Sequence, residues 1–457
     1  MHSSGLQHFI RYCCIFQFFV VKAEDSATTW TWVPDRSMCP RHGEGPLLNP
    51  AFLLIGAEKS GTTSLYHYLG RHPFIRLVAK KKEPYSLLHV LVDGVHNVSL
   101  NHYHHLPPLG QAATTHAVEV QANDAAVGSS PNMVESQAWK PTSLPPHGAE
   151  EAYYEYVERA FGDAVLLRSG EATFEASPRY YTYPELARPL LRVLPCTRVV
   201  MTLREPLRRA ESQYWHDICT PGYQNRLIER PFSKGLGGTT SAQPGPADGL
   251  PPGFMPLEHV LGLEVGLWKA CTTSHGSLPT AIRTNADSSS KLEAQRRVRV
   301  LWSCLSTPVL VNRTTFSERR VYFGYLIPGL YALPLEQWLD AYPRELVHFM
   351  DFDSWTDKGT AVEALDRLTH NFLGLPKWPR ESLAKTMEVP RKFMAAPCFS
   401  KTGKYRKLGE SFGNNGKAIS QLQINREQAF LADVRKDILR PANALLAELI
   451  DESWNWI

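Results

Sequence analysis

The chain has 457 residues, 43% hydrophobic and 21% charged, which excludes a wholly disordered polymer and leaves room for a large buried core. Against 45 Asp and Glu, 49 Lys and Arg give a net charge of +4, so this is no polycation built to coat nucleic acid, and an anionic partner must be held by a local patch. Eight cysteines at this length do not make a disulfide-dense miniprotein.

The first apolar stretch is Tyr12 to Val21, between Arg11 and Lys22. It is too short for a membrane span, which needs about 20 residues. It fits the apolar region of a signal peptide, with Val21-Lys22-Ala23 as a cleavage site; a buried strand or a truncated anchor is the alternative. We therefore expect residues 1–23 to be a signal peptide or short anchor, with entry into the secretory pathway: Golgi lumen or membrane, or secretion. Membrane association is then confined to an uncleaved N-terminus. Two glycosylation sequons, at Asn97 and Asn312, agree with that compartment. Beyond the leader stand Cys39, Cys196, Cys219, Cys271, Cys304 and Cys398, an even set that permits disulfides without dictating their pairing. No Cys-x-x-Cys occurs, which argues against a zinc ribbon.

Residues 24–50 are polar and proline-bearing and read as a lead-in to one domain over 51–457. Short apolar runs at Ala51 to Ile55, Ala164 to Leu167, Arg198 to Leu203 and Leu346 to Met350 predict buried strands. Helical patterns at Glu150 to Phe161 and Leu335 to Tyr342 lie among them. The alternation predicts an α/β fold, a mainly parallel sheet with helices on both faces. Residues 101–148, rich in His, Pro, Ala and Ser, and residues 220–256, rich in Gly and Pro, read as loop insertions. His102, His104 and His105 lack helical spacing and a carboxylate partner, so they read as part of a solvated loop rather than a metal site.

The first strand runs into Gly56-Ala57-Glu58-Lys59-Ser60-Gly61-Thr62-Thr63-Ser64, and a helix is expected from Ser64 to Leu69. A strand-to-helix turn of this composition offers backbone N–H groups to an anion, and Lys59 adds a point charge. The order is not that of a Walker A loop, where Lys follows the second Gly. A second segment, Arg204-Glu205-Pro206 through Ser212, leaves the strand at 198–203, with Pro206 at a position where a helix tolerates proline. Arg204 and Ser212, two turns apart, can converge on one phosphate.

Together these motifs resemble the sulfotransferases that use 3′-phosphoadenosine 5′-phosphosulfate (PAPS, giving PAP). In that family a Lys-[Ser/Gly/Thr]-Gly-Thr loop binds the 5′-phosphosulfate, and an Arg and a Ser eight residues apart bind the 3′-phosphate. Gly170-Glu171-Ala172-Thr173 with Ser177-Pro178-Arg179-Tyr180, Gly329-Leu330-Tyr331 to Trp338, Cys398 through Lys404, and Phe430 to Trp456 are similar to further segments of its carbohydrate-sulfating branch, which acts on heparan and chondroitin sulfates. The histidine-bearing segment and C-terminal Arg-Lys-Gly motif of cytosolic small-molecule sulfotransferases are not apparent. The resemblance implies a P-loop-like fold and transfer of a sulfuryl group to a glycan hydroxyl. It assigns Lys59, Ser60, Gly61, Thr62, Thr63, Ser64, Arg204 and Ser212 to the cofactor, with Lys401, Thr402, Gly403 and Lys404 as further contacts. It makes Glu83, in Lys82-Glu83-Pro84-Tyr85, the general base, with Tyr85 where the family has His. Lys82 and Tyr85 fall on the acceptor side, and the run Lys80 to Lys82 suits an anionic glycan, or else is a solvated basic loop. No metal is required. Glu58 departs from the family pattern, and its side chain is expected to turn away from the phosphate loop. Cys398 lacks the nearby upstream Cys of several relatives, which leaves Cys196, Cys219, Cys271 or Cys304 as its partner, if it has one.

Overall fold

The computed structural model describes residues 50–77, 82–91, 149–161, 171–219, 257–282, 288–306, 324–388, 421–452 and 454–456. Both expected insertions, the N-terminal segment, the predicted strand at 164–167, both sequons and the loop at 398–404 lie outside them.

Four parallel strands form one sheet in the order β2-β1-β3-β4: β1 (Phe52–Gly56), β2 (Phe174–Ala176), β3 (Arg198–Leu203) and β4 (Val347–Asp351). Three of them fall where the apolar runs predict. The partner of β1 on its other side is β2, three residues long, too short for a periodic signal.

Helices cover both faces, numbered here in chain order. Before β3 come α1 (Thr62–Leu69), α2 (Ser86–Leu91), α3 (Ala149–Phe161) and α4 (Ala187–Val193). Between β3 and β4 lie α5 (Pro206–Cys219), α6 (Leu257–His275), α7 (Ser288–Ser306) and α8 (Ala332–Ala341). After β4 follow α9 (Phe352–Thr356), α10 (Ala361–Asp366), α11 (Arg380–Glu388), α12 (Gln421–Asp433) and α13 (Arg440–Ile450).

The period-2 alternation of a strand divides the core in two. Leu53 and Ile55 of β1, with Val199, Met201 and Leu203 of β3, face the layer containing α2 to α8 and α13. Phe52 and Leu54 face the smaller layer of α1, α10 and α11 with Trp355 and Trp378. Phe52 stacks on Phe174 across the β1–β2 pair, with ring centroids 4.5 Å apart. In the larger layer Cys271 of α6 is bonded to Cys304 of α7, 33 residues on, so neither is available to Cys398. Cys196 is also disulfide-bonded.

Chain order places the next feature. From β1 the chain goes to β2 on one side; from β3 it goes to β4 on the other. The connections therefore part between β1 and β3, and a crevice at the C-terminal ends of those strands is where open parallel sheets bind ligands.

One buried carboxylate braces the approach to that crevice. Glu264 of α6 accepts the backbone N–H groups of Tyr325, Leu326 and Ile327, the last two at 2.8 Å. A Cβ on Gly324 would lie 2.8 Å from its Oε2, so a side chain there would push the carboxylate off its three donors. The braced turn packs on Pro206 at the start of α5, against which a Cβ on Gly329 would come to 2.9 Å. Glu264→Ala strands three buried donors, and at about 1–3 kcal/mol each the expected loss of unfolding free energy is roughly 3 kcal/mol or more, read from the urea midpoint.

Candidate active site

The turn after β1 is clamped to β3. Ala57 N–H donates to the Thr202 carbonyl at 2.7 Å, and the Thr202 hydroxyl donates to the Ser60 carbonyl at 3.0 Å while accepting Trp355 Nε1–H at 2.8 Å. Gly61 begins α1 at φ +80°, and a Cβ there would fall 2.5 Å from Trp355 Cζ2. The turn can therefore close only with glycine at 61. Ser60 and Thr62 are buried, and Lys59, Thr63 and Ser64 are half-buried at the mouth of the turn. The first intrahelical bond is donated by Leu65 to Gly61, so the amides of Thr62, Thr63 and Ser64 are the helix's unfilled donors.

Arg204 comes to the same place from the end of β3. Its Nη1 donates to the Lys59 carbonyl at 3.2 Å, and its guanidinium lies 4.6 Å from the centre of the Phe352 ring. The Tyr331 hydroxyl donates to the Arg204 carbonyl at 2.8 Å. Arg204 Nε is buried with no hydrogen-bond partner, an unused donor beside the turn. Burial lowers the pKa of this guanidinium. Ser212 is half-buried farther along α5.

The charges around Lys59 alternate. Burial lowers its pKa to about 8 against the opposing pull of Glu58, Asp217 and Glu83; Arg209 adds to the lowering. Glu58 is held by Arg179, whose Nε donates to Glu58 Oε1 at 2.6 Å in a pair with only 8% and 21% side-chain exposure. The negative charge that looked out of place in the turn is thereby matched by a buried cation. Arg209, fully buried on α5, donates to the carbonyls of Tyr325 and Glu58.

Glu83 approaches from β2. Its N–H donates to the Ala176 carbonyl at 2.9 Å, next to the strand's end. Lys82 Nζ donates to Glu83 Oε1, and the Tyr85 hydroxyl donates to Oε2 at 2.9 Å. Burial pushes the Glu83 pKa up; Lys82, Tyr85 and Arg179 outweigh it and hold the carboxyl below its ordinary value. Glu83 is therefore a carboxylate at neutral pH.

Backbone conformation marks these same residues. Among the described residues four non-glycines have positive φ: Lys59 (66°), Glu83 (62°), Tyr85 (53°) and Asp451 (57°). A side-chain-bearing residue in this region costs about 1–3 kcal/mol and persists only where its surroundings impose it, most often at functional sites. Three of the four lie here.

Lys59, Glu83, Arg204 and the turn are the candidates of the sequence, and the structure gathers them at one end of the sheet. Lys401, Thr402, Gly403 and Lys404 lie outside the described residues. In the sequence Glu58 stands out only as a departure from the family pattern and Arg179 only within a family-like segment, with no sign that the two pair. Arg209 and Asp217 carry no signal beyond polarity, at positions that are buried in the fold. The described residues contain no cluster of three or more metal-ligating side chains and no helix long and apolar enough to cross a membrane.

No protein-family model matches the chain, and no curated protein matches it. Among solved structures it is similar to the crystal structure of a sulfotransferase from Alicyclobacillus acidocaldarius, at 18% identity, over 90% of this chain and 99% of that chain, with a TM-score of 0.40.

Two outcomes follow from the geometry of the turn. Gly61→Ala meets both a left-handed φ that disfavours a side chain and the Trp355 ring, and is expected to lower stability by about 2 kcal/mol or more in thermal unfolding. Lys59 carries a folded pKa near 8 against 10.5 in the open chain, so the unfolded state binds more protons between those values and stability rises with pH across that window. At pH 7 the penalty is fully present. Lys59→Met is expected to raise the melting temperature at pH 7 and to flatten the rise between pH 8 and 10.5; a lower melting temperature at pH 7 would contradict a desolvated lysine.

Proposed function

We propose that this chain is a sulfotransferase that moves a sulfuryl group from PAPS to a hydroxyl of an anionic glycan. The observation that carries the reading is the switch in strand order between β1 and β3, where a Lys-bearing turn at a helix N-terminus is bonded directly to the arginine that follows the neighbouring strand. The residues fit a ligand with two separated anionic groups. The desolvated Lys59 and the α1 amides suit one, and the unused Nε of Arg204 suits the other.

PAPS supplies the activated sulfuryl group. The work of the protein is positioning and charge stabilisation, as in phosphoryl transfer. Lys59 and the amides of Thr62 to Ser64 hold the 5′ end and offset the charge that gathers on the departing oxygen. Arg204 and Ser212 hold the 3′-phosphate. Glu83, ionised at neutral pH, accepts the proton of the acceptor hydroxyl, and Tyr85 steadies its second oxygen. Lys401, Thr402, Gly403 and Lys404 complete the cofactor contacts in this reading.

An anionic acceptor is favoured by Lys82 beside Glu83 and by Lys80 and Lys81 just before it in the chain. A secretory compartment, Golgi or beyond, suits the N-terminal apolar stretch and the Cys271–Cys304 disulfide.

The test uses labelled PAPS with a panel of glycosaminoglycans, other sulfated polysaccharides, neutral glycans, small phenols and tyrosyl peptides. Label is expected on anionic glycans. Label on phenols or peptides alone would make the acceptor class wrong, and PAP binding without transfer to any acceptor would make the protein a glycan-binding relative. Lys59→Ala and Glu83→Gln should each abolish turnover. Glu83→Gln should keep PAP affinity in calorimetry, whereas Arg204→Ala should weaken it roughly 10- to 100-fold. An active Glu83→Gln enzyme removes the base assignment.

A further inference from the structure

In β2 the sheet places a carboxylate where its neighbours place aliphatic side chains. Glu175 is opposite Leu53 in the β1–β2 register and is completely buried. An ionised carboxylate at such depth is costly unless hydrogen bonds surround it. Two hydroxyls donate to the same oxygen: Ser177 Oγ at 2.5 Å and Tyr180 OH at 2.7 Å to Glu175 Oε1. Tyr156 of α3 faces the same carboxyl.

Burial raises the pKa of this carboxyl. Both hydroxyls point at Oε1, which accepts hydrogen bonds whether the group is ionised or carries a proton on Oε2, so the single proton of each hydroxyl is committed to Glu175 and only lone pairs remain for anything on the other side. Both sets are used. Ser177 Oγ accepts the N–H of Tyr85 at 3.2 Å, and the Tyr180 oxygen accepts the N–H of Leu87 at 3.0 Å. With the Glu83 N–H bonded to the Ala176 carbonyl, the alternate amides 83, 85 and 87 are all held by the end of β2 and the turn after it. This is also the segment that carries two positive-φ residues, Glu83 and Tyr85, a shape it keeps only under external constraint.

We infer that Glu175, acting through the hydroxyls of Ser177 and Tyr180, is a positioning residue for the Glu83 carboxylate. It orients two hydroxyls, the hydroxyls fix two amides, and the amides set the backbone that aims Glu83 and the Tyr85 ring bonded to it. Glu175 touches no reacting atom in this role and moves no proton. The inference rests on Glu83 being the acceptor-side base proposed above.

Ser177→Ala and Tyr180→Phe each cut one relay and leave the other. The readouts are site-resolved amide hydrogen exchange in the free protein, PAP affinity by calorimetry, and kcat and acceptor KM for sulfate transfer. Exchange should quicken by roughly 10-fold or more at Tyr85 in Ser177→Ala and at Leu87 in Tyr180→Phe, as expected for an amide that loses its buried acceptor. With the melting temperature near that of the wild type, kcat should fall about 10- to 100-fold, as misplacement of a reacting group costs, with PAP affinity within about 2-fold of wild type. Unchanged exchange at both amides overturns the relay. Faster exchange with unchanged kcat, or kcat and PAP affinity falling together with melting temperature, overturns the positioning role. If the wild type transfers no sulfate, the proposed function fails, and so does the role of Glu83; the exchange result then decides separately whether Ser177 and Tyr180 hold the segment. If one variant does not fold, the other decides alone.

Discussion

The site depends on one threonine in the middle of the sheet. Thr202 of β3 receives the Ala57 amide on its carbonyl, gives its hydroxyl proton to the Ser60 carbonyl, and takes the Trp355 indole N–H on the same oxygen. Those three bonds pin both ends of the turn bearing Lys59 to the neighbouring strand and seat the indole against Gly61. Everything else near the turn is then forced: the positive φ at 59 and 61, the start of α1, and the arrival of Arg204 two residues farther along the same strand. A loop clamped by its neighbour holds an anion site without reorganising when the anion arrives, which is the economy of a preorganised site.

Electrostatically, the site is a set of alternating charges in poor solvent. Lys59, Arg179 and Arg209 are set against Glu58, Glu83 and Asp217, and the acidic members fall short of what is needed to keep Lys59 at its ordinary pKa. Such a deficit costs folding free energy and would be relieved by an anion near Lys59, since an added negative charge offsets what burial has removed. Strain has the same character here. Three of the four left-handed non-glycine residues described sit at the turn and around Glu83; the fourth, Asp451, caps the end of α13.

How much of this was legible beforehand follows from the physics of each signal. Strands β1, β3 and β4 were visible because buried parallel strands are continuous apolar runs. The turn after β1 was visible because its composition departs from both helix and strand. Strand β2 was not: its middle residue is Glu175, a polar residue at a core position, and three residues hold no period. The pairing of Arg179 and the burial of Arg209 are illegible for a related reason. A charged residue is read as exposed unless a partner is known, and their partners, Glu58 and the carbonyl of Tyr325, lie 121 and 116 residues away. Lys59, Glu83 and Arg204 were legible through motif likeness. The reason each is held in place was not, because Thr202, Ser177 and Tyr180 act only once the chain has folded.

The strand order carries a consequence for how the molecule comes into being. β1 is the first strand described and also an interior one, and it stays unpaired on both edges until β2 and β3 have arrived. Its neighbours begin more than a hundred residues later, so loops of that length must close before the central ladder gains its first bond. Formation of the sheet is thus largely non-local, and the ends of β1 and β3 meet only when those loops have closed. A chain that holds its helices without its sheet lacks the juxtaposition of Lys59 and Arg204, so any ligand that needs both would report completion of the sheet.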